Sequence, residues 1–258
     1  MSSTIPAVFV GHGSPMNAIE PNRYTEAWRA FGATIPVPRA ILAISAHWYI
    51  NATAVTAQPD PKTIHDFYGF PPELFAIQYP APGSPEIAQE IVDTLAPVWT
   101  GLDHDSWGID HGTWSVLVHM FPEANIPVLQ LSIDATKSFE EHLRIGAALA
   151  PLRDKGILIF GSGNIVHNLR AIEWGKDGHG APYAHAFDAH VHGIMTTKPA
   201  DLPSVAAHPN YAQAVPTPDH FIPSLYIAGV AAASNTTASA LVRGYEYGSL
   251  SMTSYVVH

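Results

Sequence analysis

The stretch Ala7–Pro15, AVFVGHGSP, joins an apolar strand pattern to a turn that carries a histidine. Its first four residues are all apolar, which is typical of a parallel strand covered on both faces. The flanking Gly11 and Gly13 free the backbone at this point, and Pro15 does not allow the strand simply to continue. The pattern therefore predicts a buried strand that ends by presenting His12 at the edge of a sheet.

Similar apolar stretches recur along the chain and alternate with helical patterns. The other stretches that predict buried strands are AILAISAHW (40–48), IPVLQLSI (126–133), GILIFGSGN (156–164) and SLYIAGVAA (224–232). Helical spacing is found in RYTEAWRAF (23–31), SPEIAQEIVDTLAPV (84–98), TWSVLVHMF (113–121) and SFEEHLRIGAALAPLRD (138–154). This alternation predicts an α/β fold, with one domain over residues 1–258 and a central, mainly parallel sheet flanked by helices on both faces.

Composition limits the classes of function. With 258 residues and 47% hydrophobic content, the chain can bury the core of one large domain. A formal net charge of -10 argues against binding to nucleic acid or to an anionic membrane surface. No stretch approaches the roughly 20 apolar residues that a membrane span needs, and the N-terminus lacks the pattern of a signal peptide. We expect a cytoplasmic protein that is a monomer or a small homo-oligomer.

Two proline-rich segments and the C-terminal region depart from the alternation of strand and helix patterns. The segments YGFPPELFAIQYPAPGSP (68–85) and AAHPNYAQAVPTPDHFIP (206–223) also contain aromatics, which favours ordered loops that line a pocket. The C-terminal stretch ALVRGYEYGSLSMTSYVVH (240–258) predicts one or two closing strands. This last stretch shows no catalytic signal.

The 15 histidines are the strongest chemical feature of the sequence, and their positions distinguish candidate metal ligands from the others. His12 and His47 follow two successive predicted strands, so parallel pairing would bring both imidazoles to one sheet edge. His220 precedes the last apolar stretch, and Asp219 beside it is a candidate hydrogen-bond partner. Without cysteine, a metal would be held by nitrogen and oxygen, and three imidazoles suit Zn²⁺ or Fe²⁺ with positions left open. The alternative is that each is a hydrogen-bonded loop histidine.

Two further histidines are candidates for the same edge. His167 follows a Gly-Ser-Gly-Asn turn at the predicted start of a helix, where it would transfer protons or act as an additional ligand. His111 precedes the helical pattern TWSVLVHMF, and a purely structural hydrogen bond is an equal alternative for it. By contrast, His185 and His192 lie seven residues apart with Asp188 between them, which we interpret as a solvated helix face.

Other catalytic mechanisms lack their motifs. Ser14 and Ser162 lie next to glycines, but neither stands in the Gly-x-Ser-x-Gly motif of serine hydrolases. The first strand is followed neither by a Walker phosphate loop nor by a dinucleotide-binding Gly-x-Gly-x-x-Gly motif. A divalent metal is therefore the cofactor that the residues favour.

Five motifs in the same order resemble those of a known enzyme family: GHGSPMNAIE (11–20), ISAHWYI (44–50), DHGTWSVL (110–117), GSGNIVHNL (161–169) and YEYGSLSMTSY (245–255). The whole chain resembles the LigB-type class III extradiol ring-cleaving dioxygenases, in particular the 4,5-DOPA dioxygenase extradiol subgroup. The resemblance implies an enzyme that opens the ring of a catechol, such as DOPA, with dioxygen at one divalent metal. It also assigns roles to residues: metal ligands at His12, His47 and His220, an acid–base group or additional ligand at His167, and a contact to substrate or oxygen at His111.

The third ligand departs from the better-known members of this family, which hold iron with two histidines and a glutamate. His220 would make the ligand set all-histidine, which suits zinc, whereas activation of dioxygen suits iron, so both Zn²⁺ and Fe²⁺ stay open. Two alternatives also stay open at this point. One is a zinc hydrolase that uses the same histidines with His167 as proton shuttle, and the other is a non-catalytic metal-binding protein of the same fold.

Overall fold

The computed structural model describes residues 4–176 and 178–258. In chain order its strands are β1 (Ala7–Gly11), β2 (Ala40–Ser45), β3 (Tyr49–Ile50), β4 (Ala54–Thr56), β5 (Gly101–Asp103), β6 (Val128–Gln130), β7 (Ile133–Asp134), β8 (Ile157–Gly163), β9 (Ser239–Val242), β10 (Tyr245–Glu246), β11 (Leu250–Ser251) and β12 (Ser254–Val257). The α-helices are α1 (Arg23–Thr34), α2 (Pro72–Phe75), α3 (Pro85–Leu95), α4 (His111–Met120), α5 (Phe139–Leu149), α6 (Pro182–Thr197), α7 (Tyr211–Ala214) and α8 (Ile222–Ala233). Short 3₁₀ helices lie at Pro15–Ala18, Ala150–Arg153, Leu169–Ala171 and Pro199–Ala207.

The central sheet has the strand order β6-β2-β8-β1-β12-β9. The first four of these strands are parallel, whereas β12 runs antiparallel to both β1 and β9. Two-stranded ladders join β3 to β7, β4 to β5, and β10 to β11. The predicted α/β fold with a mainly parallel sheet is therefore confirmed, and β2, β8 and β1 end side by side at its carboxyl edge.

Side chains alternate between two cores on the two faces of the sheet. Ala7 and Phe9 of β1 pack into the core beneath α3, α5, α6 and α8. Val8 and Val10 of the same strand pack into the core beneath α1 and α4. This period of two explains why these strands are apolar at every position, since both faces are covered by helices.

The apolar stretch 224–232 was predicted to be a strand, and this prediction is wrong. It forms most of α8, in which every residue from Ile222 to Ala231 is buried. A helix that is covered all round has no polar stripe, so its sequence resembles that of a buried strand. His220 consequently precedes a helix. The central sheet contains β12 and β9 from the C-terminal region in place of the strand predicted at 224–232.

The C-terminal region forms four strands, β9 to β12, instead of the one or two expected. Of these, β9 and β12 complete the central sheet, whereas β10 and β11 pair with each other. Within residues 4–176 and 178–258, no helix combines the length and the apolar character needed to cross a membrane.

Candidate metal centre

Three histidines converge at the carboxyl edge of the sheet. His12, His47 and His220 form a group whose potential ligand atoms all lie within 4.8 Å of one another. The Nε2 atoms of His12 and His47 are 3.3 Å apart, and the ring centroids of His12 and His220 are 5.3 Å apart. The structure thus brings together residues that are more than 200 positions apart in the chain, as the sequence predicts.

The backbone around each histidine explains this convergence. His12 and His47 follow β1 and β2, whose ends flank that of β8. His220 approaches from the other side, where its carbonyl accepts a hydrogen bond from the Asn164 N–H at 2.9 Å. A Cβ at Gly163 would lie only 2.1 Å from that carbonyl oxygen, so glycine is required for this close approach.

Each of the three imidazoles is oriented through its Nδ1 atom. The Nδ1 of His47 lies 3.1 Å from a carboxylate oxygen of Asp66, and that of His220 lies 2.6 Å from Asp219. The Nδ1 of His12 lies 2.9 Å from the Ser162 hydroxyl, which itself donates to the Gly112 carbonyl at 2.5 Å. The acceptors place the proton on Nδ1 and leave the Nε2 lone pair for a metal.

Asp66 was missed by sequence reasoning, and it links two of the candidate histidines. Its Oδ2 accepts from His47, while its Oδ1 accepts from the Nδ1 of His111 at 2.8 Å and from the His111 backbone N–H at 3.1 Å. Asp66, His47 and His111 also form a second group with metal-ligand spacing. Because the carboxylate already accepts from both imidazoles, we interpret Asp66 as an orienting group.

His111 opens α4 and faces the same cluster. The helix begins after Asp110, whose side chain accepts from the Thr113 N–H at 3.1 Å as an N-cap. The His111 ring centroid lies 3.9 Å from that of His47. Hydrogen bonding to Asp66 leaves its Nε2 free toward the cavity, so the structural and the functional interpretations of His111 are compatible.

His167 joins the cluster, but it does not start a helix as predicted. It lies in an irregular segment after β8 and pairs with Leu250 in an isolated antiparallel bridge. Its ring stacks on His220 with centroids 3.5 Å apart and planes 3° from parallel. The backbone thus fixes His167 at the cluster without a helix, and stacking fixes its ring.

Burial and neighbouring charges set the protonation of the cluster. Burial, together with the nearby histidines, holds the pKa of His12 and of His167 well below the ordinary value. Burial also opposes protonation of His47, but hydrogen bonding to Asp66 and nearby carboxylates outweigh it and raise its pKa. The imidazoles that contact Asp66 hold its pKa far below the usual range despite burial, so the group is a carboxylate.

The histidine cluster forms the base of a cavity of about 330 Å³. Apolar and aromatic side chains line the rest of this cavity, including Phe67, Phe70, Leu169, Trp174 and Tyr247. Tyr247 and Leu250 come from the C-terminal region, in which the sequence showed no catalytic signal. A largely apolar cavity with a few convergent polar groups is typical of a small-molecule site.

The donor set fits a divalent metal. Three largely buried imidazoles would offer neutral Nε2 atoms, and their Nδ1 protons are held by two carboxylates and one hydroxyl. This arrangement of ligands and outer partners is the one that metal-binding histidines commonly have. The cavity lies beside the three nitrogens, so substrate would have access to the open coordination positions.

Among the described residues, the other histidines do not line the cavity. The expectation that His185 and His192 lie on a helix is correct, since α6 contains both. Its face is not simply solvated, however, because Asp188 is fully buried and accepts from Arg243 at 2.8 Å and from Ser251 at 2.6 Å. This carboxylate ties α6 to the C-terminal strands and is structural.

Comparisons with known proteins agree with this geometry. Residues 6–258 match the family described as the catalytic LigB subunit of aromatic ring-opening dioxygenase. The chain is 47% identical to the 4,5-DOPA dioxygenase extradiol of Escherichia coli K12 over 98% of this chain and 95% of that protein. It is 39% identical to the 4,5-DOPA dioxygenase extradiol of Beta vulgaris over 96% of this chain and 94% of that protein.

A solved structure shares the fold. The crystal structure of the uncharacterized protein JW3007 from Escherichia coli K12 superposes with a TM-score of 0.86 at 42% identity, covering 98% of this chain and 100% of that chain. The family match and the full-length relatives show more sequence similarity than a shared fold alone would give. The chain therefore belongs to the LigB family of aromatic ring-opening dioxygenases, and it is an enzyme of the extradiol ring-cleaving class.

Proposed function

We propose that this enzyme opens the ring of a catechol, with a DOPA-like catechol as the starting candidate, by using dioxygen at one divalent metal, Fe²⁺ or Zn²⁺. The observation that carries the proposal is the convergence of His12, His47 and His220, each oriented through Nδ1, at the base of an apolar cavity. The relatives named as 4,5-DOPA dioxygenase extradiol support the choice of a catechol.

In this proposal His12, His47 and His220 hold the metal. When bound, a divalent metal supplies Lewis acidity that lowers the pKa of the catechol hydroxyls, and iron in addition supplies redox chemistry toward dioxygen. His12 and His220 are both buried, which limits the access of bulk water to their ring nitrogens. Ser162, Asp66 and Asp219 keep the three Nε2 atoms aimed inward.

His167 is proposed as the catalytic acid–base group. Its low pKa leaves the ring neutral, so a ring nitrogen can accept a proton from a catechol hydroxyl and later return it. Stacking on His220 holds the ring beside the proposed metal position, where it is also available as an additional ligand. His111 is proposed to contact substrate or oxygen through Nε2, while Asp66 holds its Nδ1 proton.

The proposal also covers the domain organisation, the location and the partners of the protein. We propose one catalytic domain over residues 1–258, a cytoplasmic location, and a monomer or small homo-oligomer that binds neither nucleic acid nor membrane. The net charge of -10 supports the absence of binding to nucleic acid and to anionic membranes.

The experiment that tests the proposal is anaerobic reconstitution of metal-free protein with Fe²⁺ or Zn²⁺, followed by oxygen-electrode measurements with catechol and DOPA. We expect one dioxygen consumed per ring-opened yellow product. Uptake of oxygen also separates this reaction from metal-dependent hydrolysis. Absence of uptake with either metal and every catechol would overturn the proposed function.

Single substitutions test the ligand assignment. His12→Ala and His47→Ala are expected to abolish metal retention and turnover while circular dichroism shows a folded protein. Wild-type metal content and activity in both variants would overturn the assignment of these residues.

A further inference from the structure

Asp110 is a fully buried carboxylate that has no role in the reaction proposed above, and it does not line the cavity. Its Oδ1 accepts from the Ser45 hydroxyl at 2.8 Å and from the Thr113 N–H at 3.1 Å. Its Oδ2 accepts from the side-chain amide of Gln130 at 2.6 Å and from the indole N–H of Trp107 at 3.3 Å. This carboxylate is firmly held, because a turn of the group would leave buried donors without a partner.

One branch of this network leads to His47. The hydroxyl of Ser45 donates to Asp110 and also accepts from the His47 backbone N–H at 3.3 Å. A Cβ at Gly112, in the first turn of α4, would lie 2.8 Å from this hydroxyl and 2.7 Å from Cδ2 of the His47 ring. The start of α4 therefore packs directly against the end of β2 and the imidazole that follows it.

The other branch leads to His111. Asp110 is the N-cap of α4, and His111 is the first residue of this helix. The backbone N–H of Asp110 donates to the side-chain oxygen of Gln130 at 2.8 Å, so Gln130 in β6 contacts both the backbone and the side chain of Asp110. The start of α4 is thus fixed to the sheet, at the place where the rings of His111 and His47 lie 3.9 Å apart.

We propose, building on the proposed function, that Asp110 is a positioning residue that sets the spacing between His47, the proposed metal ligand, and His111, the proposed contact to substrate or oxygen. It acts on His47 through Ser45 and on His111 through the start of α4. Asp66 contacts the two rings themselves and sets their orientation. Asp110 instead fixes the two backbone segments that carry the rings.

Asp110→Asn tests this role. The amide still offers an oxygen to cap α4, but its NH₂ group must face a donor that the carboxylate now accepts from, at Gln130 or at Ser45. We expect metal affinity to fall about tenfold, and kcat/KM for unsubstituted catechol to fall about 10- to 100-fold. Chelator competition measures the affinity, and initial rates of oxygen uptake by the metal-loaded enzyme give kcat/KM.

A reciprocal exchange provides the rescue. Gln130→Glu alone places a second carboxylate against Asp110, so it is also expected to weaken metal binding about tenfold. In the double variant Asp110→Asn/Gln130→Glu, the amide at position 110 donates to the carboxylate at position 130, which can still accept from the backbone N–H at position 110. The pair is restored in the opposite sense, and metal affinity and kcat/KM are expected to return to within about threefold of wild type.

Asp134→Asn is the matched control for loss of a buried carboxylate. Asp134 accepts from the Thr136 hydroxyl at 2.7 Å and from Lys137 at 3.0 Å, and it does not line the cavity. This variant is expected to melt at a lower temperature than wild type while metal affinity and kcat/KM stay unchanged. If Asp110→Asn does not fold, Ser45→Ala replaces it: this change keeps the N-cap of α4 and is expected to lower metal affinity at least about threefold.

The outcomes separate this inference from the proposed function. Unchanged metal affinity and kcat/KM in Asp110→Asn, or unchanged affinity in Ser45→Ala where that variant is used, overturns the positioning role. An equal loss in Asp134→Asn also overturns it, since the effect would then follow from stability alone. A double variant that regains the wild-type melting temperature but not metal affinity assigns Asp110 to the fold only. If wild type consumes no oxygen with any catechol, the proposed function fails, and metal affinity still decides whether Asp110 positions His47.

Discussion

At the scale of single residues, the site depends on where imidazole protons are held. A histidine binds a metal through one ring nitrogen, and the group on the other nitrogen decides which one is free. Here Asp66 performs this task for two rings, because its two oxygens accept from His47 and from His111. A single carboxylate therefore couples a proposed metal ligand to a proposed substrate contact.

Asp66→Asn is expected to weaken metal binding 10- to 100-fold and to lower activity. The amide offers one oxygen acceptor and two N–H donors, so the Nδ1 protons of His47 and His111 cannot both be accepted. One ring must turn or move its proton to Nε2, which removes a free lone pair. Chelator competition measures the affinity, and Asp60→Asn, at an exposed position, is the matched control. Unchanged affinity in Asp66→Asn would mean that Asp66 does not orient His47.

His167→Gln is expected to retain the metal and the fold but to lower kcat by about 10² to 10⁴, the range of general acid–base catalysis. Glutamine keeps a polar side chain of similar reach and cannot exchange a proton in this pH range. Metal content by mass spectrometry and kcat by oxygen uptake are the measurements. Loss of metal together with activity would instead assign His167 to the ligand set.

The residues of the site differ in how visible they are in the sequence. His12 and His47 each end an apolar strand, and parallel strands carry their C-terminal residues to one edge, so their meeting follows from pattern alone. Asp66 stands in a loop without periodicity, and only the fold shows which imidazoles it faces. A hydrogen-bond partner of a ligand has no fixed spacing along the chain, so no sequence signal marks it.

At the scale of elements, the site is assembled where β8 meets the start of α8. The backbone of Asn164 donates to the His220 carbonyl at 2.9 Å, and its side chain donates to the Ser251 carbonyl at 2.8 Å. The end of one strand therefore fixes both the segment that carries His220 and the C-terminal strand β11. This contact is possible only because Gly163 has no side chain.

Gly163→Ala is expected to displace His220 and to weaken metal binding at least tenfold. The new Cβ would lie 2.1 Å from the His220 carbonyl oxygen, a backbone atom, so α8 and β8 must separate. Gly193→Ala is the matched control: it lies in α6 with nothing within 4 Å of its added Cβ, and it is expected to stabilise the fold by about 0.5–1 kcal/mol. Chelator competition and thermal melting are the measurements. Unchanged metal affinity in Gly163→Ala would show that the strand end does not position His220.

The elements themselves were predictable where their two faces differ in environment. The helical patterns of α1, α3 and α5 each bury one side, and these three helices are found where expected. The helix α4 is also found where expected, although nine of its ten residues are buried. The pattern of α8 could not be distinguished from a buried strand, because the helix lies between the sheet and α5 and is apolar on every side. In the same way, the turn before His167 could not reveal that an isolated bridge to Leu250 replaces a helix.

At the scale of the whole molecule, the site exists only when the fold is complete. The proposed ligands extend from His12 to His220, and Leu250 near the C-terminus pairs with the segment of His167. An unfolded chain cannot bring these groups within 4.8 Å of one another, so metal binding and folding are linked. Metal-dependent stability would therefore report on the assembly of the entire sheet.

A second prediction for the whole molecule is that it loses stability in mild acid, and His142 is the residue expected to contribute. This residue of α5 is fully buried, and its Nδ1 lies 3.1 Å from the hydroxyl of Tyr226 in α8. Burial lowers its pKa from 6.5 to about 4, although Asp134 and Glu141 favour the charged form. The folded protein therefore binds fewer protons than the unfolded chain between pH 4 and 6.5, and stability falls as the pH falls through this window.

His142→Gln is expected to remove this part of the pH dependence. Between pH 7.5 and pH 5, protonation of His142 in the unfolded chain lowers the free energy of unfolding by about 2 kcal/mol, so wild type should lose about that much more than the variant. Urea unfolding of metal-loaded protein at both pH values measures the difference, and titration of the proposed ligands affects both proteins equally. His104→Gln, at an exposed position, should retain the wild-type loss. If His142→Gln loses as much stability as wild type, the packing of α5 against α8 does not limit stability in acid.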